Sequence, residues 1–154
     1  MLAHLLATIE QLTLGTPHPG LASHPTDRLV YYAGHDINIY FLRNFLRLNW
    51  ITQSWNQNQA MPGGMLAFEI LTAGTADAGA EAYFVKVYFV SQSYQQMRNA
   101  EPLTSPADGP SRVFVTIPEC AFGPEESCPV ADFRALVLRV VRAECVSTVR
   151  ADQL

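Results

Sequence analysis

Two apolar, β-prone runs constrain this chain more than any other feature: Met65–Leu71, entered through Pro62-Gly63-Gly64, and the aromatic and β-branched Tyr83–Val90. The small-residue segment Thr72–Ala82 between them is short, which favours an antiparallel hairpin over a crossover. A third run, Val113–Ile117, alternates as a strand and stops at Pro118. Upstream, Arg28–Ala33 (Leu29, Val30, Tyr31, Tyr32) predicts a strand ending at Gly34, and from Ile37 the pattern turns helical. Ile37, Phe41 and Phe45, with Tyr40, Leu42 and Leu48 alongside, have the three-and-four spacing of a helix packed on a sheet.

Two further helices bracket the chain. Leu2, Leu5, Leu6, Ile9 and Leu12 make one stripe within Met1–Leu12, with Gly15 as its stop. From about Val130, residues Phe133, Leu136, Val137, Val140 and Val141 make another, with Asp132 near its start and Arg139 and Arg142 near its end, as the helix dipole favours. Gln53–Gln59 and Pro102–Pro110 read as loops. The resulting order, helix, strand, helix, three strands, helix, predicts an α/β layered fold: a mixed sheet flanked by helices, in a single domain over residues 1–154.

Composition agrees with a packed core and narrows the function. Apolar residues make up 49% of the chain and charged residues 16%, which is too apolar for a disordered segment. Ten Lys and Arg against 14 Asp and Glu leave no basic stripe to neutralise a nucleic-acid backbone, so no nucleic-acid partner is expected. No apolar run approaches the roughly 18–20 residues of a transmembrane segment. The N-terminal run lacks the opening positive charge and small-residue cleavage site of a signal peptide. Cys120, Cys128 and Cys145 form no Cys-x-x-Cys pair and lie near no histidine at ligand spacing, so neither a metal nor another cofactor is expected. Cys120 and Cys128 flank a loop containing Gly123, Pro124 and Ser127, short enough to close as a local disulfide if the compartment is oxidising. That leaves Cys145 odd, either an unpaired thiol or half of a bridge whose other half is elsewhere.

Chemistry concentrates at Gly34-His35-Asp36. In open α/β sheets ligands gather beyond the carboxyl ends of strands, where helices begin and unpaired N–H groups face outward. Gly34 permits close backbone approach, His35 can donate to an anion, and the helix start adds partial positive charge, a combination suited to phosphate. For a lone His-Asp dipeptide the plainer reading is that Asp36 caps the helix and His35 is a satisfied turn residue.

The ordered set of motifs shifts that balance. Leu29–Asp36 (LVYYAGHD), a helix, Pro62-Gly63-Gly64, Phe68-Glu69, the Tyr83–Val90 strand, Ile117-Pro118 with Cys120, then Cys128-Pro129 and Phe133 follow one another as in the histidine acid phosphatases, which the chain resembles from roughly Asp27 to Val146. The resemblance is to the C-terminal portion of that family and implies a partial phosphoglycerate-mutase-like fold. It also implies hydrolysis of phosphomonoesters through a phosphohistidine. In that chemistry a histidine of an Arg-His-Gly motif attacks phosphorus. Asp36 would be the proton donor to the departing oxygen, and His35 would bind the phosphoryl oxygens and stabilise their charge in the transition state.

One departure is large. No Arg-His pair occurs in the chain, and His4, His18 and His24 lack the glycine and arginine companions of the nucleophile. His18 and His24 sit in a Pro-rich loop and read as exposed turn residues, and His4 flanks the first helical stripe. In the family the cysteine matching Cys145 bridges to an upstream region. The expectations are therefore a phosphatase portion whose nucleophile comes from an upstream half-domain or a separate chain, with a phosphomonoester as substrate, or a catalytically inactive, truncated phosphatase-like binding or interaction protein. A homodimer is a further partner expectation, because uncovered apolar faces would self-associate. The resemblance implies a secreted or lysosomal route.

Overall fold

The computed structural model describes residues 1–72, 83–104, 108–142, 144 and 146; Cys145 and residues 73–82 of the expected hairpin loop lie outside the described residues. The elements run α1 (Leu2–Leu14), α2 (Asp36–Leu46), β1 (Met65–Thr72), β2 (Tyr83–Ser91), α3 (Tyr94–Asn99), β3 (Ser111–Val115), β4 (Cys128–Pro129) and α4 (Val130–Val140).

The expected β1–β2 hairpin is present, antiparallel and in register from Met65 opposite Val90 to Thr72 opposite Tyr83. β3 lies along the other side of β2, pairing Val87–Ser91, and the two-residue β4 continues that side opposite Phe84 and Val85. β2 is thus the central strand, and its period-two alternation decides the layers. Val85, Val87 and Phe89 are at most 1% exposed. They meet Phe133 and Val137 of α4, also fully buried, while Trp50 stacks on the Phe89 ring at 4.4 Å between centroids. Burying side chains of this size contributes about 1.5–3 kcal/mol each, so this cluster is a substantial source of stability.

α1 ends as expected, with Gly15 in the left-handed conformation (φ 68°) and its N–H bonded to the Gln11 carbonyl. The helix packs on α4, and Glu10 pairs with Arg134 at 2.8 Å. Gln11, fully buried, donates to the Ser23 carbonyl at 2.8 Å and accepts from the His18 N–H at 2.7 Å, holding the Pro-rich loop against the helix.

Helices flank the sheet as expected, and every described strand pairing is antiparallel. The strand expected over Arg28–Ala33 is not formed. Its β-prone residues are present, but among the described residues no backbone lies alongside to complete a ladder. The face of α2 differs too. Leu42 and Leu46 are its buried residues, with Ile39 packed against the core, whereas Ile37, Phe41 and Phe45 are 49%, 50% and 46% exposed. α2 is apolar on two sides, and the described residues cover only one of them.

Three short elements escaped the sequence reading, one of them a 3-10 turn at Pro124–Glu126. α3 is a single short helix with a capping box, in which Ser93 accepts from the Gln96 N–H and Gln96 Oε1 accepts from the Ser93 N–H at 2.8 Å. β4 is too short for any periodicity to register. No helix among the described residues is long and apolar enough to cross a membrane.

Candidate active site

Residues Leu29–Gly34 approach α2 along α1. Tyr32 anchors them: its hydroxyl bonds Thr8 Oγ1, which itself donates to the His4 carbonyl at 3.0 Å. The Tyr32 ring also meets the His4 imidazole edge-on at 6.0 Å between centroids. Leu29 and Tyr31 are 84% and 77% exposed.

The chain turns into α2 at His35, which is the N-cap residue with extended backbone (φ −101°, ψ 166°). Asp36 is therefore the first helical residue and not the cap, because an N-cap must lie outside helical φ/ψ while accepting the first turn's N–H. Two bonds lock this turn. The His35 N–H donates to Asn38 Oδ1 at 2.8 Å, and the Asn38 N–H donates to the His35 carbonyl at 2.9 Å. Asp36 Oδ1 accepts the Ile37 N–H at 2.8 Å. His35 and Asp36 are both exposed, in successive positions at the electropositive end of α2.

Gly34 has a local reason. A Cβ there would lie 2.9 Å from Asn38 Oδ1, so any side chain displaces the atom that caps His35. Asn38 was missed in the sequence; its signal was the spacing of three between His35 and a side chain able to accept from the N-cap amide.

The remaining histidines serve their own loop. His18 Nδ1 lies 2.8 Å from the Pro19 carbonyl, His24 Nδ1 lies 2.8 Å from Thr26 Oγ1, and the His24 N–H donates to Asp27 Oδ2. Cys120 and Cys128 form a disulfide with 4.9 Å between Cα atoms. It closes a loop that Gly123 lets approach the sheet, since a Cβ there would lie 2.5 Å from the Phe84 ring. Pro62-Gly63-Gly64 forms the expected turn, with Gly63 at φ 73° and the Gly64 N–H on the Met61 carbonyl. Of the two residues after it that entered the resemblance, Phe68 packs near Phe133 and Glu69 pairs with Arg112.

A cavity of about 200 Å³ lies away from this turn, between the C-terminal ends of α2 and α4, lined by Phe45, Leu136 and Val140 among others. Glu119 sits there between Arg47 (2.8 Å) and Arg139 (2.6 Å), so both guanidinium groups are engaged. No cluster of three or more His, Cys, Asp or Glu suited to a metal occurs among the described residues.

No protein-family model matches the chain. It is 31% identical over 128 residues to the phytase AppA of Escherichia coli, which covers 79% of this chain and 28% of that protein. Among solved structures, the Hafnia alvei phytase in complex with tartrate superposes with a TM-score of 0.76 at 29% identity, covering 94% of this chain and 35% of that one. These likenesses support the histidine acid phosphatase family, matched over only part of the relatives' length. A third phytase, from Citrobacter braakii, gives a TM-score of 0.69 at 26% identity over 95% of this chain and 36% of its own. The chain thus spans about a third of the length of these phosphatases, and the fold carries over that third.

Proposed function

We propose that this chain supplies the phosphate-binding and proton-donating part of a phosphomonoesterase. The observation that carries the reading is the placement of His35 and Asp36, adjacent and exposed at the start of α2, in a chain similar to phytases. His35 donates to the phosphoryl oxygens, helped by the helix start, and stabilises the negative charge that grows on them. A histidine of a polypeptide outside these 154 residues attacks phosphorus. The N–P bond forms as the P–O bond to the leaving group breaks, and Asp36 gives its proton to that oxygen. Water then cleaves the N–P bond and returns a proton to Asp36. The substrate is a phosphate monoester, and the named relatives make a phosphorylated inositol the first to test. The Cys120–Cys128 disulfide favours an oxidising, secretory or periplasmic setting.

The nucleophile-bearing partner has a surface to meet. Exposed Leu29 and Tyr31, the backbone around them that no strand pairs among the described residues, and the Ile37, Phe41 and Phe45 face of α2 adjoin His35 and Asp36 in sequence. A strand laid along residues 29–34 would satisfy that backbone and cover the apolar groups together. The absence of an Arg-His pair favours a second reading, an anion-binding protein without turnover.

The test is complementation. The purified chain alone, given a chromogenic phosphate ester at acid pH, is expected to show negligible turnover. Co-expression with the portion of the Hafnia phytase that this chain does not match should restore hydrolysis, and His35→Ala or Asp36→Asn should abolish it. Turnover by the lone chain, or restored turnover indifferent to both substitutions, would overturn the assignment. Phosphate binding without complementation would select the second reading.

A further inference from the structure

We infer that Asn38 is the positioning residue of the His35–Asp36 pair, and that Gly34 is glycine to make room for it. The inference rests on the proposed phosphate site and adds what holds that site in place. Asn38 Oδ1 accepts the His35 N–H at 2.8 Å while the Asn38 N–H returns to the His35 carbonyl at 2.9 Å. These two bonds hold residue 35 in its extended conformation immediately before the helix and so set the direction in which its imidazole and the next carboxylate leave the backbone.

The same protein shows what the ordinary device looks like. At α3, Gln96 occupies the equivalent third position and its longer side chain reaches back to the Ser93 N–H at 2.8 Å. Asparagine is one methylene shorter, and its oxygen lies where a Cβ on residue 34 would be 2.9 Å away. A side chain at 34 would therefore have to push the Asn38 cap aside. Loss of the cap releases an amide and a backbone conformation in the residue that contacts the anion, which a helix remote from any ligand would tolerate.

The experiment uses the full 154-residue chain and inorganic phosphate, reading the His35 ring and amide resonances by NMR. Wild type should respond to phosphate, and Asn38→Ala should weaken that binding by about fivefold to tenfold while the His35 amide loses exchange protection and helix content stays unchanged. Asn38→Gln, which can still reach the amide, should recover affinity to within about twofold of wild type. Gly34→Ala should cost as much as Asn38→Ala in the wild-type background and under about twofold when Asn38→Ala is already present. Asn38→Ala binding phosphate like wild type, Asn38→Gln binding no better than Asn38→Ala, or Gly34→Ala costing the same in both backgrounds would each overturn the inference. A wild-type chain whose His35 ring ignores phosphate would sink the proposed function instead and reduce Asn38 to a plain helix cap.

Discussion

The inner face of β2 and the stretch from Leu29 to Phe45 look alike in sequence and meet opposite fates. Both are rich in aromatic and aliphatic residues at regular spacing. Val85, Val87 and Phe89 vanish beneath α4 and Trp50, whereas Leu29, Tyr31, Ile37, Phe41 and Phe45 keep roughly half or more of their surface in solvent. The difference lies in the supply of partners. β2 finds β1, β3, β4 and α4 within the chain, but among the described residues the segment 29–34 finds no strand and α2 finds cover for one face only. An apolar pattern declares that a surface is to be buried; it is silent on which polypeptide buries it.

Substitutions on the two sides should break that likeness most visibly. Phe133→Ala, opposite β2, should destabilise the isolated chain by about 3–5 kcal/mol in denaturant titration, through lost burial and the cavity left behind. Phe41→Ala should shift the same measurement by no more than about 0.5 kcal/mol, since its ring is already half in water. The same Phe41→Ala should reduce self-association in sedimentation velocity. A comparable destabilisation from both would mean the α2 stripe is packed in solution and the contrast is false.

The disulfide sharpens the comparison at intermediate size. Cys120 and Cys128 lie eight positions apart and secure the β4 end of the packed side. Replacing both with serine should cost about 2–3 kcal/mol by the loop-entropy estimate, read as a lowered denaturant midpoint with an unchanged slope. Equal stability with and without reductant would remove the bridge from the account of why this half is the firm one.

The smallest effect belongs to a surface ion pair on the packed side. Lys86 donates to Glu125 at 2.6 Å, and that bond, followed by direct charge attraction, holds the Glu125 carboxyl below its ordinary 4.5; the same bond raises the Lys86 ammonium above its ordinary 10.5. For Glu125 the folded value is lowered, so its contribution is complete above 4.5 and disappears as pH falls through the folded value. For Lys86 the folded value is raised, so its contribution is complete below 10.5 and disappears as pH rises through the folded value. Glu125 is 79% exposed, so screening keeps the effect small. Melting temperatures of wild type and Glu125→Gln should differ slightly at neutral pH and converge below pH 4.5; parallel curves would remove the pair from the stability account.

How far the sequence reached depended on whether each element answers to a neighbour in the chain. The hairpin was legible because two strands separated by a short connection pair with one another, and α1 and α4 because an apolar stripe with a recognisable end needs only something apolar to meet. The Cys120–Cys128 bridge was legible as a short loop between two cysteines. His35 and Asp36 were legible as residue types at a turn, but Asn38 became visible only through a 2.8 Å bond, because asparagine at the third helical position is commonplace unless the amide it caps belongs to a site.

By itself, then, the sequence determined where apolar surface lies, which runs can be strands, and that a histidine and an aspartate stand together before a helix. Tertiary structure decided which of those surfaces are covered, that Arg28–Ala33 has no strand beside it among the described residues, and that His35 and not Asp36 caps α2. The physical reason is that propensity and periodicity are properties of a few neighbouring residues, whereas a ladder, a buried face or a capped turn exists only when a second group arrives at bonding distance.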